Sequence, residues 1–229
     1  MKPSWIIVSL SLAALGICAA STVEFLFLHP IASTPFRHLA IEQRYSPHDE
    51  DADGINDTQD VLDGARAEVD RHPIYRSAYY GGGYPPEDEG VCTDVVWRAF
   101  RQAGYDLKAL IDDDIRVHTA DYPRVQGKPD PNIDFRRVPN ILKYLRRYGT
   151  SLTTEIKPWD AENLKEWQGG DIVIFDKPHE HIAIVSDKRR NDGVPLIIHN
   201  SAPYPEEQDA LVYWNEKVSP IVGHFRWPD

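Results

Sequence analysis

The sequence predicts an α+β fold in which helices come first along the chain and an antiparallel sheet follows. Apolar residues recur at helical spacing between residues 57 and 145, whereas short apolar runs bounded by turn residues follow residue 170. Segregated helices and strands favour α+β over an alternating, doubly wound sheet. The composition, 41% hydrophobic and 27% charged, is that of a globular protein.

Charge and cysteine content exclude several classes of function. The 229 residues include 25 Lys and Arg against 36 Asp and Glu, a net charge of −11. Nucleic-acid binding without sequence preference requires a basic face, so no nucleic-acid partner is expected. Two cysteines exclude a disulfide framework and a Cys-rich zinc module. A single long apolar run excludes a polytopic membrane protein.

Residues 1–28 are predicted to be a signal peptide or an N-terminal membrane anchor. Lys2 precedes an apolar run over 5–20, and residues 18–20 offer a small-x-small cleavage site. The apolar character resumes over 23–28, and a bilayer crossing needs about 20 residues, so a retained anchor is equally compatible. Both readings export the remaining chain to the periplasm or the extracellular space.

The exported part divides into a linker over 29–48, an acidic loop over 49–60 and one domain over 61–229. Three prolines interrupt the linker. Apolar stripes predict a helix from Asp57 or Thr58, a second from Cys92 to Gly104, and a third opened by Pro139. Loops are expected over 79–90 and 117–134. Strands are predicted at 171–175, 181–186, 195–200 and 221–227.

Cys92 is the candidate nucleophile. Because Cys18 lies in the signal or anchor, Cys92 is the only thiol of the exported domain, and the alternative role is that of a small buried hydrophobe. It stands where a flexible loop enters an apolar helix, and the N–H groups there favour a thiolate and can hold an oxyanion. Its pKa is therefore predicted to fall. Asp94, in the first turn, is expected to cap the helix.

His181 is the candidate general base, because it opens a predicted strand and so combines a fixed orientation with access to a cleft. His179, two residues earlier beside a proline, is its competitor. His199 closes the next strand and is the candidate for orienting the base, with Asn200 as the alternative. A zinc site built from these residues is disfavoured because no close ligand pair such as C-x-x-C or H-E-x-x-H is present.

These residues resemble the NlpC-type cysteine peptidases, a bacterial branch of the papain-like superfamily that cuts cell-wall peptides. The shared pattern is a tyrosine before a glycine pair, a cysteine at a helix start, a Gly-Asp strand, a strand led by histidine and a third polar residue. The resemblance implies a papain-like fold. It also implies roles for a nucleophile, a base, an orienting group and a tyrosine near the oxyanion, here Cys92, His181, His199 and Tyr80 or Tyr79.

Two segments depart from that pattern. The nucleophile stands in Val-Cys-Thr-Asp over 91–94 rather than Asp-Cys-Ser-Gly. Together with the segment 132–140, this form is similar to a family of exported bacterial proteins, the domain of unknown function 1287. Within that segment, Arg136 and Arg137 are able to grip a substrate carboxylate bidentately or to form internal ion pairs.

The acidic loop predicts a structural calcium site. Carboxylates alternate along it, and a glycine at its sixth position permits the tight turn that a calcium loop needs. The alternative is a solvated acidic linker. The predicted Ca²⁺ ligands are Asp49, Asp51, Asp53, the Ile55 carbonyl, Asp57 and Asp60.

The leading functional hypothesis is a cysteine hydrolase that forms an acyl-enzyme and cleaves a peptide or amide bond, with a peptidoglycan peptide as the expected substrate. One alternative is a non-catalytic, calcium-braced binding module on the same fold. The other is amidase or acyltransferase chemistry on a non-peptide substrate with the same three residues. No cofactor is needed for the catalytic step.

Overall fold

The computed structural model describes residues 37–228, so the predicted signal peptide or anchor lies outside the described residues. Its helices are α1 (Asp57–Arg71), α2 (Cys92–Gln102), α3 (Leu107–His118), α4 (Val138–Tyr148), α5 (Ala161–Leu164) and α6 (Leu211–Tyr213), which a π-helical turn, Trp214–Val218, continues. Its strands are β1 (Ile74–Tyr75), β2 (Glu89–Gly90), β3 (Thr150–Ser151), β4 (Ile172–Phe175), β5 (His181–Arg189), β6 (Pro195–Asn200), β7 (Pro205–Gln208) and β8 (Ile221–Arg226).

Six strands form one antiparallel sheet in the order β3-β8-β4-β5-β6-β7, and β1 and β2 form a short parallel pair. The predicted α+β class is confirmed. Strands β4 and β5 read as continuous apolar runs because they are buried on both faces. Ile182 and Ile184 pack into the core that contains α1 to α4, whereas Ala183 and Val185 pack into a second core on the opposite face.

Helix α2 lies across the first face of the sheet and sets the position of Cys92. Its apolar stripe, Val95, Val96, Ala99 and Phe100, is fully buried. Gly64 of α1 has no room for a side chain, since a Cβ there would lie 2.9 Å from the Ala99 Cα. Gly104 adopts φ +84° just after α2, as its predicted helix-ending role requires.

Several parts of the chain differ from the sequence-based expectation, since the short elements α5, α6, β1, β2, β3 and β7 were not predicted. Helix α3 was not predicted, although Leu107, Ile111 and Ile115 are buried at helical spacing. Residues 38–48 form no helix or strand, as expected of a linker, but Leu39 and Ile41 pack against the second core. Within residues 37–228, no helix is both long and apolar enough to cross a bilayer.

Candidate active site

Cys92 is the first residue of α2 and borders an open groove of about 470 Å³. Only 6% of the residue is exposed, so the thiol is buried at the border of that groove. The lining includes four charged residues, Arg124, Arg136, Arg137 and Glu180. A second cavity, of about 270 Å³ beside Thr58 and Gly170, has no Cys or His in its lining.

The sulfur of Cys92 lies against the beginning of β5. Apart from burial, the backbone N–H groups of Ile182, Thr93 and Cys92 favour the thiolate and act to lower the pKa of the thiol. Burial nevertheless raises the pKa of the thiol from 9.0 to about 12, and the charge of Asp94 adds to the rise. The predicted fall in pKa is wrong, because desolvation outweighs the donors at the helix start.

His181 is the first residue of β5, directly before Ile182, whose backbone N–H acts on the pKa of Cys92. Its Nε2 lies 2.7 Å from Nδ1 of His199 in β6, so the structure brings the two predicted histidines together. The His181 ring stacks on Trp214 with centroids 4.2 Å apart and does not itself line the groove. Burial, with a smaller contribution from His199, holds the pKa of His181 well below 6.5.

His199 links His181 to a glutamine that the sequence did not single out. Its Nε2 lies 2.8 Å from Nε2 of Gln208 in β7, and burial lowers the pKa of His199 to about 4. When the amide nitrogen donates, the hydrogen bonds run from Gln208 through His199 to His181 and leave the His181 proton on Nδ1. A half-turn of the amide reverses the chain and leaves Nδ1 free to accept a proton.

Tyr75, rather than Tyr80 or Tyr79, lies beside Cys92. Tyr75 pairs with Gly90 across the β1–β2 ladder and lines the groove, and the charge of Cys92 helps burial to raise its pKa. The Tyr80 hydroxyl donates to Glu89 at 2.6 Å, and Tyr79 faces Asp130. Because the two-residue strand β1 has no sequence signature, only the fold could reveal that Tyr75 is the tyrosine beside Cys92.

Asp94 caps α2 as predicted and also anchors a buried ion pair. Its Oδ2 accepts the Val91 N–H at 2.7 Å. Arg136 donates to both carboxylate oxygens, through Nε at 2.8 Å and Nη2 at 2.7 Å. Of the two roles open to Arg136, the structure therefore shows the internal ion pair. Arg137 keeps 37% of its side chain exposed at the groove.

The remaining candidates lie apart from the His181–His199 pair. His179 is exposed in the loop before β5, and its backbone N–H donates to Ser219. Asn200 is buried and donates from its amide to the carbonyl of Gly90 at 3.4 Å. Asn200 therefore ties β6 to the loop that leads into α2, and His199 holds the place next to the candidate base.

The predicted calcium ligands divide into two groups. Asp49, Asp51 and Asp53 are exposed and offer carboxylate oxygens within 4.8 Å of one another. Asp57 and Asp60 are buried at the start of α1. The Ile55 side chain is exposed on the loop, and its N–H donates to Asp53 at 2.8 Å.

Comparison with known proteins relates the chain to one family. The model of a domain of unknown function, DUF1287, matches residues 62–227. The uncharacterised protein YijF of Escherichia coli (strain K12) is 38% identical over 175 residues, which cover 73% of this chain and 80% of that protein. No solved structure shows significant similarity to the chain.

Proposed function

From the premise that the chain belongs to the DUF1287 family, we propose that it is a cysteine hydrolase that cleaves a peptide or amide bond. The observation that supports the proposal is that the beginning of helix α2 lies against the beginning of strand β5. Although burial dominates, the backbone N–H of Ile182 acts to lower the pKa of the Cys92 thiol, and the residue before Ile182 is His181, whose Nε2 lies 2.7 Å from Nδ1 of His199. This proximity supports the roles of nucleophile, base and orienting group for the three residues.

The proposed reaction begins with a neutral thiol and a neutral imidazole, the forms that burial favours. The sulfur attacks the carbonyl carbon as His181 Nδ1 takes the thiol proton, and the N–H groups at the start of α2 stabilise the oxyanion. The tetrahedral intermediate expels the amine, which takes the proton from His181. Water, deprotonated by His181, then attacks the thioester, and the acid and the free thiol are released.

His199 and Gln208 act as positioning residues in this scheme. When His181 carries both protons, its Nε2–H must donate to His199 Nδ1, so the His199 proton must sit on Nε2. That proton then needs the Gln208 amide oxygen as its acceptor. Trp214, stacked on His181, keeps water from the hydrogen bond between the histidines. The scheme requires that Nδ1 of His181 reach the Cys92 sulfur at the N-terminal end of β5.

Three arginines line the groove and could contact substrate carboxylates. Arg124 is paired with Glu180 at 2.7 Å and Arg137 with Asp134 at 3.3 Å, so an anionic ligand would share these arginines with the protein's own carboxylates. Peptidoglycan peptides carry carboxylates, and the resemblance to NlpC-type peptidases and their papain-like fold points to the same class. The predicted export would place the enzyme beside the cell wall, in the periplasm or outside the cell.

The two rival functions make different use of Cys92. A non-catalytic binding module would keep its ligand affinity without the thiol. An amidase or acyltransferase acting on a non-peptide substrate would need the thiol but would leave peptide bonds intact. Product analysis with and without the sulfur separates all three.

The test is digestion of purified peptidoglycan sacculi from a Gram-negative bacterium, followed by chromatography and mass spectrometry of the released fragments. Wild type and a His179→Gln control should release peptide fragments, whereas Cys92→Ala should release none while its far-UV circular dichroism and its urea midpoint stay near wild type. Release of the same fragments by Cys92→Ala would refute the assignment of the nucleophile.

A further inference from the structure

The acidic loop contains a group of carboxylates that the proposed reaction does not use. Asp49, Asp51 and Asp53 bring ligand oxygens within 4.8 Å of one another at the surface. The Asp49 carboxylate accepts the N–H groups of Asp53 at 3.1 Å and Gly54 at 3.0 Å, so the loop folds back on its first residue. Exposed acidic residues alone are common on protein surfaces and do not define a site.

Asp60 supplies an independent observation. It is 2% exposed, and its Oδ2 has no hydrogen-bond partner among the described residues. A buried carboxylate oxygen without a partner is costly unless a cation or a donor compensates it. Asp60 is the last residue of the acidic loop and stands in the first turn of α1, so its buried carboxylate lies at the end of the segment that carries Asp49, Asp51 and Asp53.

We propose that the acidic loop binds one Ca²⁺ ion through carboxylate oxygens of Asp49, Asp51, Asp53 and Asp60 and the backbone carbonyl of Ile55. Ca²⁺ takes about 6–8 oxygen ligands in a flexible geometry, and water completes the shell. Mg²⁺ demands a stricter octahedron of about six ligands at shorter distances, which suits an adaptable loop of carboxylates less well.

Asp57 is left out of the ligand set that the sequence predicted, because it is buried and both of its oxygens are engaged, whereas Asp49, whose oxygens also accept N–H groups, is exposed to solvent. Its Oδ1 accepts the backbone N–H of Glu50 at 2.9 Å, and its Oδ2 accepts the hydroxyl of Tyr105 at 2.5 Å. Both oxygens therefore already hold the loop in place. The Tyr105 contact ties the start of α1 to the connection between α2 and α3.

The ion would brace this junction rather than take part in catalysis. A Cβ at Gly104 would lie 3.0 Å from the Asp51 Cβ, so the loop packs directly on the residue that follows α2. Cys92 stands at the opposite end of α2, a helix of 11 residues that is about 16 Å long. Calcium binding and hydrolysis are therefore separable proposals.

The experiment is isothermal titration of the full chain, first stripped with a chelator, with CaCl₂ and in parallel with MgCl₂. Wild type should bind one Ca²⁺ more tightly than Mg²⁺, with a dissociation constant of about 1 mM or below, the range of extracellular sites. Its thermal midpoint should rise on saturation. Asp60→Asn should weaken binding about tenfold or more through loss of a charged ligand.

Two further variants keep the outcome clear. Asp51→Asn alters an exposed ligand and should weaken binding even if Asp60→Asn fails to fold. Asp63→Asn removes an exposed carboxylate on the next turn of α1, which the proposal leaves out, and should bind as wild type does. Absence of Ca²⁺ binding by wild type, or equal affinity in wild type, Asp60→Asn and Asp51→Asn, would overturn the proposal.

Discussion

The beginnings of helices α1 and α2 place acidic side chains in opposite environments, exposed to water before α1 and buried at α2. Helix α1 begins after the acidic loop, where Asp49, Asp51 and Asp53 are exposed to water. Helix α2 begins with a buried thiol, and the carboxylate of Asp94 behind it is fully buried. The N-terminus of a helix carries a partial positive charge, which favours negative charge at both positions.

The comparison shows that burial, and not the helix end, sets the protonation state of Cys92. A rise in pKa from 9.0 to about 12 corresponds to about 4 kcal/mol against the thiolate. A helix N-terminus stabilises a negative charge by about 0.3–1 kcal/mol at an exposed position. The resting thiol is therefore neutral, and reactivity depends on a base that takes its proton during attack.

The largest expected effect concerns the side chain that caps the start of each helix. Asp94→Ala should cost about 3–5 kcal/mol of unfolding free energy, because it leaves the buried guanidinium of Arg136 unpaired and removes the cap. Asn56→Ala, which removes the side-chain cap of α1, should cost about 1 kcal/mol. Urea denaturation at pH 7 measures both losses. Equal losses would contradict the difference in environment.

The next largest effect is a pH dependence of the unfolding free energy, which originates at the buried histidines of the candidate active site. Because the pKa of His199 is about 4 in the folded state against 6.5, the unfolded chain takes up a proton that the folded chain excludes. Stability is thus retained above pH 6.5 and falls between pH 6.5 and 4, by about 3 kcal/mol for His199 alone. His181 adds in the same direction.

Urea denaturation of wild type and His199→Gln at pH 7 and pH 4.5 isolates this contribution. The carboxylates at the start of α1 are the same in both proteins. The difference between the two proteins in how the unfolding free energy changes with pH is therefore due to His199. The variant should lose less stability on acidification. Identical slopes would show that His199 is not a buried neutral imidazole.

A smaller effect is expected at Gln208. Gln208→Leu removes the acceptor that the His199 Nε2 proton needs, so labelling of Cys92 by iodoacetamide should slow about tenfold, or about 1.4 kcal/mol in the barrier. Gln208→Glu supplies a stronger acceptor and should raise the pH at which the histidine pair loses its proton, which the pH profile of labelling reports. Glu206→Gln, exposed on the same strand, is the control and should label as wild type does.

Local patterns made the helices and central strands predictable. The predicted strand over 195–200 matches β6, and the strand predicted from residue 181 begins at His181 as β5 does. Asp112, Asp113 and Asp114 obscured α3, because three consecutive carboxylates mask an apolar stripe that repeats only every fourth residue. Strands as short as β1 depend on tertiary pairing and leave no periodic signal.

The candidate site was predictable only in part, for the same reason. Cys92, His181 and His199 each stand at an element boundary that the sequence marks. Tyr75 and Gln208 are polar residues in segments without a motif, and only the β1–β2 pairing and the β6–β7 ladder bring them to the site. The pKa of Cys92 was mispredicted because burial depends on residues from many segments.

The measurement that tests the central claim most directly is the rate at which iodoacetamide labels Cys92 in the folded chain at pH 7. A Cys18→Ala background makes Cys92 the only thiol. Labelling of wild type should proceed without unfolding. His181→Gln should slow labelling about 100-fold or more, as the loss of a general base does. His179→Gln should leave the labelling rate unchanged. Equal rates in all three proteins, or labelling only after unfolding, would contradict the claim that His181 activates this sulfur.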